Sequence, residues 1–98
     1  MPPLSFEWDP AKAAANLRKH GVTFTEAESA FEDEQGLLIE ESVHLEGEPR
    51  FVLLALSTAL RILVVVHCYR ADGERIRMIS ARKATRSERD QYIERWER

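Results

Sequence analysis

The chain is predicted to be an α+β domain: two N-terminal helices, a four-stranded, mainly antiparallel sheet and a C-terminal helix, with a short extra N-terminal strand left open. Three observations predict it. Helix-start signals stand near both ends, at Asp9-Pro10 and at Thr85-Arg86-Ser87-Glu88. Between Leu37 and Lys83 the chain reads instead as apolar, β-branched runs broken by short turn signals. Helices that flank a run of strands, rather than alternating with them, belong to folds whose helices lie mostly on one face of an antiparallel sheet. The length of 98 residues, 44% hydrophobic and 32% charged, suits one compact core and not two, so residues 1–98 are read as a single domain.

The elements follow in order. Phe6-Glu7-Trp8 alternates aromatic with acidic and is either a short strand or an extended lead-in. Asp9 is an N-cap, Pro10 suits the first helical position, and Gly21 stops the Ala-rich helix that follows. Thr25-Glu26-Ala27-Glu28 has the spacing of a capping box, which predicts a second short helix ending near Phe31. The acidic run Glu32-Asp33-Glu34 then sits unfavourably at a helix C-terminus, so something beyond local stability must hold it there. Strands are expected at 37–41, 51–57, 61–70 and 75–83, with a polar loop from Ser42 to Pro49. Thr58-Ala59-Leu60 and Ala71-Asp72-Gly73 both read as three-residue hairpin loops. Thr85 and Glu88 form a second capping box, opening a final helix with Tyr92, Ile93 and Trp96 along one stripe.

Composition narrows the functional classes. The formal charge of −3 conceals two unlike halves: residues 1–49 carry 11 Asp/Glu against 3 Lys/Arg, and residues 50–98 carry 11 Lys/Arg against 6 Asp/Glu. Such asymmetry raises the expectation of an anionic partner for the basic half. The one cysteine, Cys68, cannot form an internal disulfide and falls on an apolar strand face, so it is expected to be a buried thiol. No apolar run approaches the roughly 18 residues of a membrane span, and the N-terminus lacks signal-peptide character, so a cytoplasmic protein is expected. His20, His44 and His67 are too scattered for a metal cluster, and neither a metal nor another cofactor is expected. His20 reads as a helix C-terminal cation or as a functional group.

The last hairpin carries the chemistry. A three-residue loop at 71–73 would pair Arg70 with Glu74, Cys68 with Ile76, His67 with Arg77 and Val65 with Ile79. One face is then Ile62, Val64, Val66, Cys68, Ile76 and Met78, for helices to cover; the other brings together His67, Tyr69, Arg75, Arg77 and Lys83. These are either solvated residues on an uncovered face or an active surface. RNA cleavage needs a base for the 2′-OH, an acid for the leaving oxygen and fixed cations for the phosphate. His67 can move a proton near neutrality, Arg77 and Lys83 can hold a phosphate, and Tyr69 can stack on a base.

Phe6-Glu7-Trp8-Asp9, Lys12, Asn16, Lys19-His20-Gly21-Val22 and Phe24, followed by Phe31-Glu32-Asp33, resemble the N-terminal signature of BrnT-type toxins of type II toxin-antitoxin systems. Glu46 to Arg50, Leu63 to Arg70 and Ile76 to Thr85 are similar to that family's remaining motifs, in the same order. The resemblance implies a RelE-like fold, metal-free ribonuclease activity that stops translation, and neutralisation by a BrnA-like antitoxin with a ribbon-helix-helix domain, through which promoter DNA would be bound. It implies active-surface roles for His67, Tyr69, Arg70, Arg77, Arg82 and Lys83; Arg75 joins the basic patch. The reading from a different class is a non-catalytic binding module acting with a DNA-binding partner in autoregulation.

Overall fold

The computed structural model describes residues 4–41, 49–70 and 73–96. The acidic loop with His44, the turn residues Ala71 and Asp72, and the Trp96 side chain lie outside what is described. Strand β1 (Ser5–Glu7) leads into α1 (Pro10–His20) and α2 (Phe24–Ser29), which runs on into a 3₁₀ turn (Ala30–Glu32). Strands β2 (Leu37–Glu41), β3 (Arg50–Leu56), β4 (Ile62–Tyr69) and β5 (Arg75–Lys83) precede α3 (Arg86–Trp96). The five strands form one mixed sheet in the order β1-β5-β4-β3-β2. Strands β2 to β5 make an antiparallel meander, and the short N-terminal strand adds to β5 in parallel.

Helix α1 begins and ends where its punctuation places it. The Asp9 carboxylate accepts from the Ala11 amide at 3.0 Å, and Gly21 closes the helix at φ 71°, a left-handed conformation that favours glycine. The start of α2 differs from expectation: Thr23, not Thr25, is the N-cap, its hydroxyl accepting from the Glu26 amide at 3.0 Å. The capping-box spacing at 25–28 does not decide the start; Glu26, the third helical residue after Thr23, gives its amide to Thr23 and its carboxylate to Arg61 and the Ser57 hydroxyl, tying α2 to the β3–β4 turn. At α3 the predicted box forms in full: the Glu88 amide donates to Thr85 Oγ1 at 3.2 Å, and the Thr85 amide donates to Glu88 Oε1 at 2.8 Å.

The first hairpin has the predicted three-residue loop, with Leu56 opposite Ile62 and the Ser57 amide donating to the Arg61 carbonyl. The second does not. Its loop is one residue longer, the Arg70 amide donating to the Arg75 carbonyl at 2.9 Å, so Tyr69 faces Ile76, Cys68 faces Arg77 and His67 faces Met78. The register then shifts at Val66/His67, where Ile79 is an extra residue in β5, and Val65 lies opposite Ala81 rather than Ile79.

A one-residue slip reverses which side chains share a face. The observed register puts Ile76, Met78 and Ala81 with Leu63 and Val65, beneath Val22, Phe24, Ala27 and Ala30 of the α1–α2 region. Helices α1 and α2 share this face, as expected of helices mostly on one side of the sheet, but the other face is not left bare. Helix α3 packs Tyr92 on the opposite face against Leu54 and Val64, so part of the sheet is buried from both sides. Double burial explains the unbroken run Ile62 to Val66, since a strand covered on both faces need not alternate.

Candidate nucleic-acid interface

Phe6 lies on the α1–α2 face, packed edge-on against Phe31 at 5.1 Å, and Trp8 meets Phe24 at 5.8 Å. Strand alternation therefore sends Glu7 to the opposite face, where its register partner is Arg77. Arg77 Nη1 donates to Glu7 Oε2 at 3.0 Å, Arg75 Nη1 donates to Oε1 at 3.4 Å, and Arg70 Nε lies 3.7 Å from Oε2. Three guanidiniums thus converge on one carboxylate across β1, β5 and the end of β4, and these four side chains together carry two positive charges. All four are partly open to solvent, the carboxylate at 27%. Exposed pairs of this kind add little to stability, about 0–1 kcal/mol each. A cluster with surplus positive charge and planar, multi-donor groups is instead suited to a phosphate.

The predicted grouping of His67, Tyr69, Arg77 and Lys83 on one surface does not hold, because the register slip separates them. His67 and Tyr69 lie on the α1–α2 face, whereas Arg77 and Arg75 lie on the other. His67 is fully buried, boxed by Phe31 at 4.8 Å, Tyr69 at 5.4 Å and Phe51 at 6.1 Å between ring centroids. Its Nδ1–H donates to the Val65 carbonyl at 3.2 Å, and its Nε2 has no hydrogen-bond partner among the described residues. Burial pushes the imidazole below its ordinary value, against a smaller opposite effect of the Val65 carbonyl. Tyr69 is half-buried, and desolvation raises its hydroxyl.

Lys83 keeps the face of Leu63 but stands at the far end of the hairpin, roughly 23 Å from the Arg70 end given about 3.3 Å per residue over β4. There it is exposed and lines a groove of about 670 Å³ with Ile62, Arg86 and Ile93. Arg82 forks onto Glu88 of α3 at 2.8 and 3.0 Å and so anchors that helix, holding the Glu88 carboxyl down at about 2. His20 is a half-buried residue in the basic last turn of α1. Cys68 is buried, as expected, but opposite Arg77 rather than beneath α1 and α2.

Glu7 is the member of the cluster that sequence reasoning missed. Its signal was the alternation Phe6-Glu7-Trp8, which places an acidic side chain opposite two aromatic ones as soon as the segment is a strand. Its neighbours were unreadable, because parallel pairing with β5 is a long-range contact without a turn to set its register.

Fold and site together define a small α+β protein with an arginine-lined sheet face. The family model described as the ribonuclease toxin BrnT of type II toxin-antitoxin systems matches residues 8–88, and the chain belongs to that family. Among solved structures it is similar to the crystal structure of the Brucella abortus ribonuclease toxin BrnT, with a TM-score of 0.62 and 21% identity over 86% of this chain and 100% of that one. At that identity the likeness speaks for the fold. A search of curated proteins found no match.

Proposed function

We propose that this chain is an endoribonuclease that arrests translation by metal-free cleavage of RNA, and that Arg77, with Arg70 and Arg75, holds the scissile phosphate. The observation that carries the reading is the convergence of these three guanidiniums on Glu7, on a sheet face that α3 covers only towards its other end. Fixed cations lower the barrier to transesterification by stabilising the charge that develops on the pentacovalent phosphate. Tyr69, at the end of β4 next to Arg70 but half-buried on the α1–α2 face, packs on Phe51 and His67 and supports the strand end that carries Arg70. His67 serves the site from behind, as part of the aromatic packing that fixes β4, and Lys83 and Arg82 act away from the phosphate.

The partner is a BrnA-like antitoxin whose ribbon-helix-helix domain would bring the complex to promoter DNA, and both proteins act in the cytoplasm. Family membership supports an antitoxin partner. None of the described helices is long and apolar enough to cross a membrane.

Expression of wild type and Arg77→Ala without antitoxin tests the site. Wild type should arrest growth and degrade RNA, and the variant should lose both by about 10² or more, the scale for removing one preorganised electrostatic contact. Equal arrest and equal RNA decay would overturn the assignment of Arg77. Intact RNA at every concentration of purified protein would favour the non-catalytic binding module.

A further inference from the structure

We infer that Glu7 is the proton acceptor of the reaction, taking the proton from the attacking ribose 2′-OH; this rests on the ribonuclease reading above. The carboxylate is held in place from two sides. Phe6 and Trp8 lock their aromatic rings into the helix-covered core, against Phe31 and Phe24, and thereby aim Glu7 outwards. On the outer face Arg77 and Arg75 each bring a terminal nitrogen to it, on different carboxylate oxygens.

Arg77 commits one terminal nitrogen to Glu7, and a guanidinium has five N–H donors, so the same group can bind a phosphate oxygen while it orients the carboxylate. The 2′-oxygen of a ribonucleotide is joined through the sugar to its own 3′-phosphate. A phosphate seated on Arg77 therefore brings that hydroxyl to within a few ångströms of Glu7, close to hydrogen-bond reach. The carboxylate is 27% exposed, so it is open to a substrate. The alternative proton carrier, His67, has no exposed surface and lies on the other face of the sheet.

The step balances without a redox partner. Glu7 takes the 2′-OH proton, the 2′-oxygen forms a bond to phosphorus, and the bond from phosphorus to the 5′-oxygen breaks. Water protonates the departing 5′-oxygen. The products are a 2′,3′-cyclic phosphate and a 5′-hydroxyl, and the Glu7 carboxylic acid returns its proton to solvent. Bidentate arginine contacts stabilise the extra charge on the phosphoryl oxygens in between.

The test uses the full chain and a fluorescent single-stranded oligoribonucleotide, with wild type, Glu7→Gln and Glu7→Asp measured across pH and the product ends identified by mass. Wild type should leave 2′,3′-cyclic phosphate ends, lose rate on the acid side, and spare an oligonucleotide lacking the 2′-OH at the cleaved position. Glu7→Gln should lower kcat by about 10² to 10⁴ with little change in KM and abolish the acid limb, while Glu7→Asp, which keeps the carboxylate, should retain that limb at reduced rate. An active Glu7→Gln variant with the wild-type pH profile, or one altered in KM alone, would overturn the inference and leave the ribonuclease reading standing. Wild-type protein that leaves the oligonucleotide intact would overturn both. Matching thermal melts of wild type and Glu7→Gln would attribute the loss to chemistry; if Glu7→Gln unfolds, the acid limb retained by Glu7→Asp decides, and its absence there counts against the inference.

Discussion

His67 shows most directly how burial changes what a residue can do. A histidine that is neutral in the fold and ordinary in the unfolded chain binds more protons when unfolded, so acid favours unfolding. Stability contributed by the neutral ring is fully present above about pH 6.5 and falls as pH drops below it towards the lowered folded value. Replacing His67 with Leu should flatten the melting temperature between pH 7 and 5, and a steep slope that survives the change would refute this account. Asn16 is a second buried polar residue, and it is satisfied: Nδ2 donates to the Val22 carbonyl at 2.9 Å and the Ala81 carbonyl at 2.8 Å, while Oδ1 accepts from the Ala81 amide at 3.0 Å. It ties α1 to β5 in the core. Asn16→Ala should cost about 3 kcal/mol in denaturant unfolding, because it orphans buried backbone groups worth about 1–3 kcal/mol each. Leu60 stands at φ 62° in the β3–β4 turn with 80% of its surface exposed. Leu60→Gly should stabilise by roughly 0.5–1 kcal/mol, since the strain relieved exceeds the chain entropy glycine adds and little packing is lost.

Among the elements, those with local punctuation were legible and those fixed by distant partners were not. Asp9-Pro10 and Gly21 bound α1, Thr85 and Glu88 open α3, and Thr58-Ala59-Leu60 makes the first hairpin loop, all from neighbours a few residues apart. The second hairpin turned on a single residue of loop length and on the extra Ile79, neither of which leaves a local trace, and with it went the grouping of the candidate site. The acidic run after α2 has the long-range reason that local rules demanded. Burial works against ionising Asp33, but the Tyr92 hydroxyl and the Leu56 and Gln35 amides outweigh it, and the carboxyl is lowered. Asp33 thereby fastens α3 and β3 to the end of the 3₁₀ turn. Asp33→Asn should loosen α3 first, visible as faster amide exchange there than in the β4–β5 core.

Over the whole molecule, two of the described carboxylates of the acidic half pair with arginines of the basic half. Glu26 meets Arg61, and Glu7 meets Arg70, Arg75 and Arg77. Carboxylates held below their ordinary values lend stability that is present above the unfolded value and lost as pH falls through the folded one. For Glu88 that window runs from 4.5 down to about 2, with Glu26 lowered in the same direction by the Arg61 hydrogen bond. Acid melts should therefore show two stages, one from His67 below neutrality and one from the carboxylates below about pH 4.5. The His67→Leu variant should lack the first and keep the second. A single unchanged transition would contradict the assignment.

The parallel pairing of β1 with β5 also has a meaning in time. Glu7 and Arg77 are 70 positions apart, so a ribosome adding roughly 5–20 residues per second makes the carboxylate about 4–14 s before the guanidinium that completes it. For most of that interval the nascent chain holds the acidic member of the cluster and none of its arginine partners. A product that ends before Arg75 lacks Arg75 and Arg77 and offers no strand for β1 to join. On the proposed reading, an unfinished copy is harmless to the cell that makes it, and the capacity to cut RNA arrives only once β5 has been made.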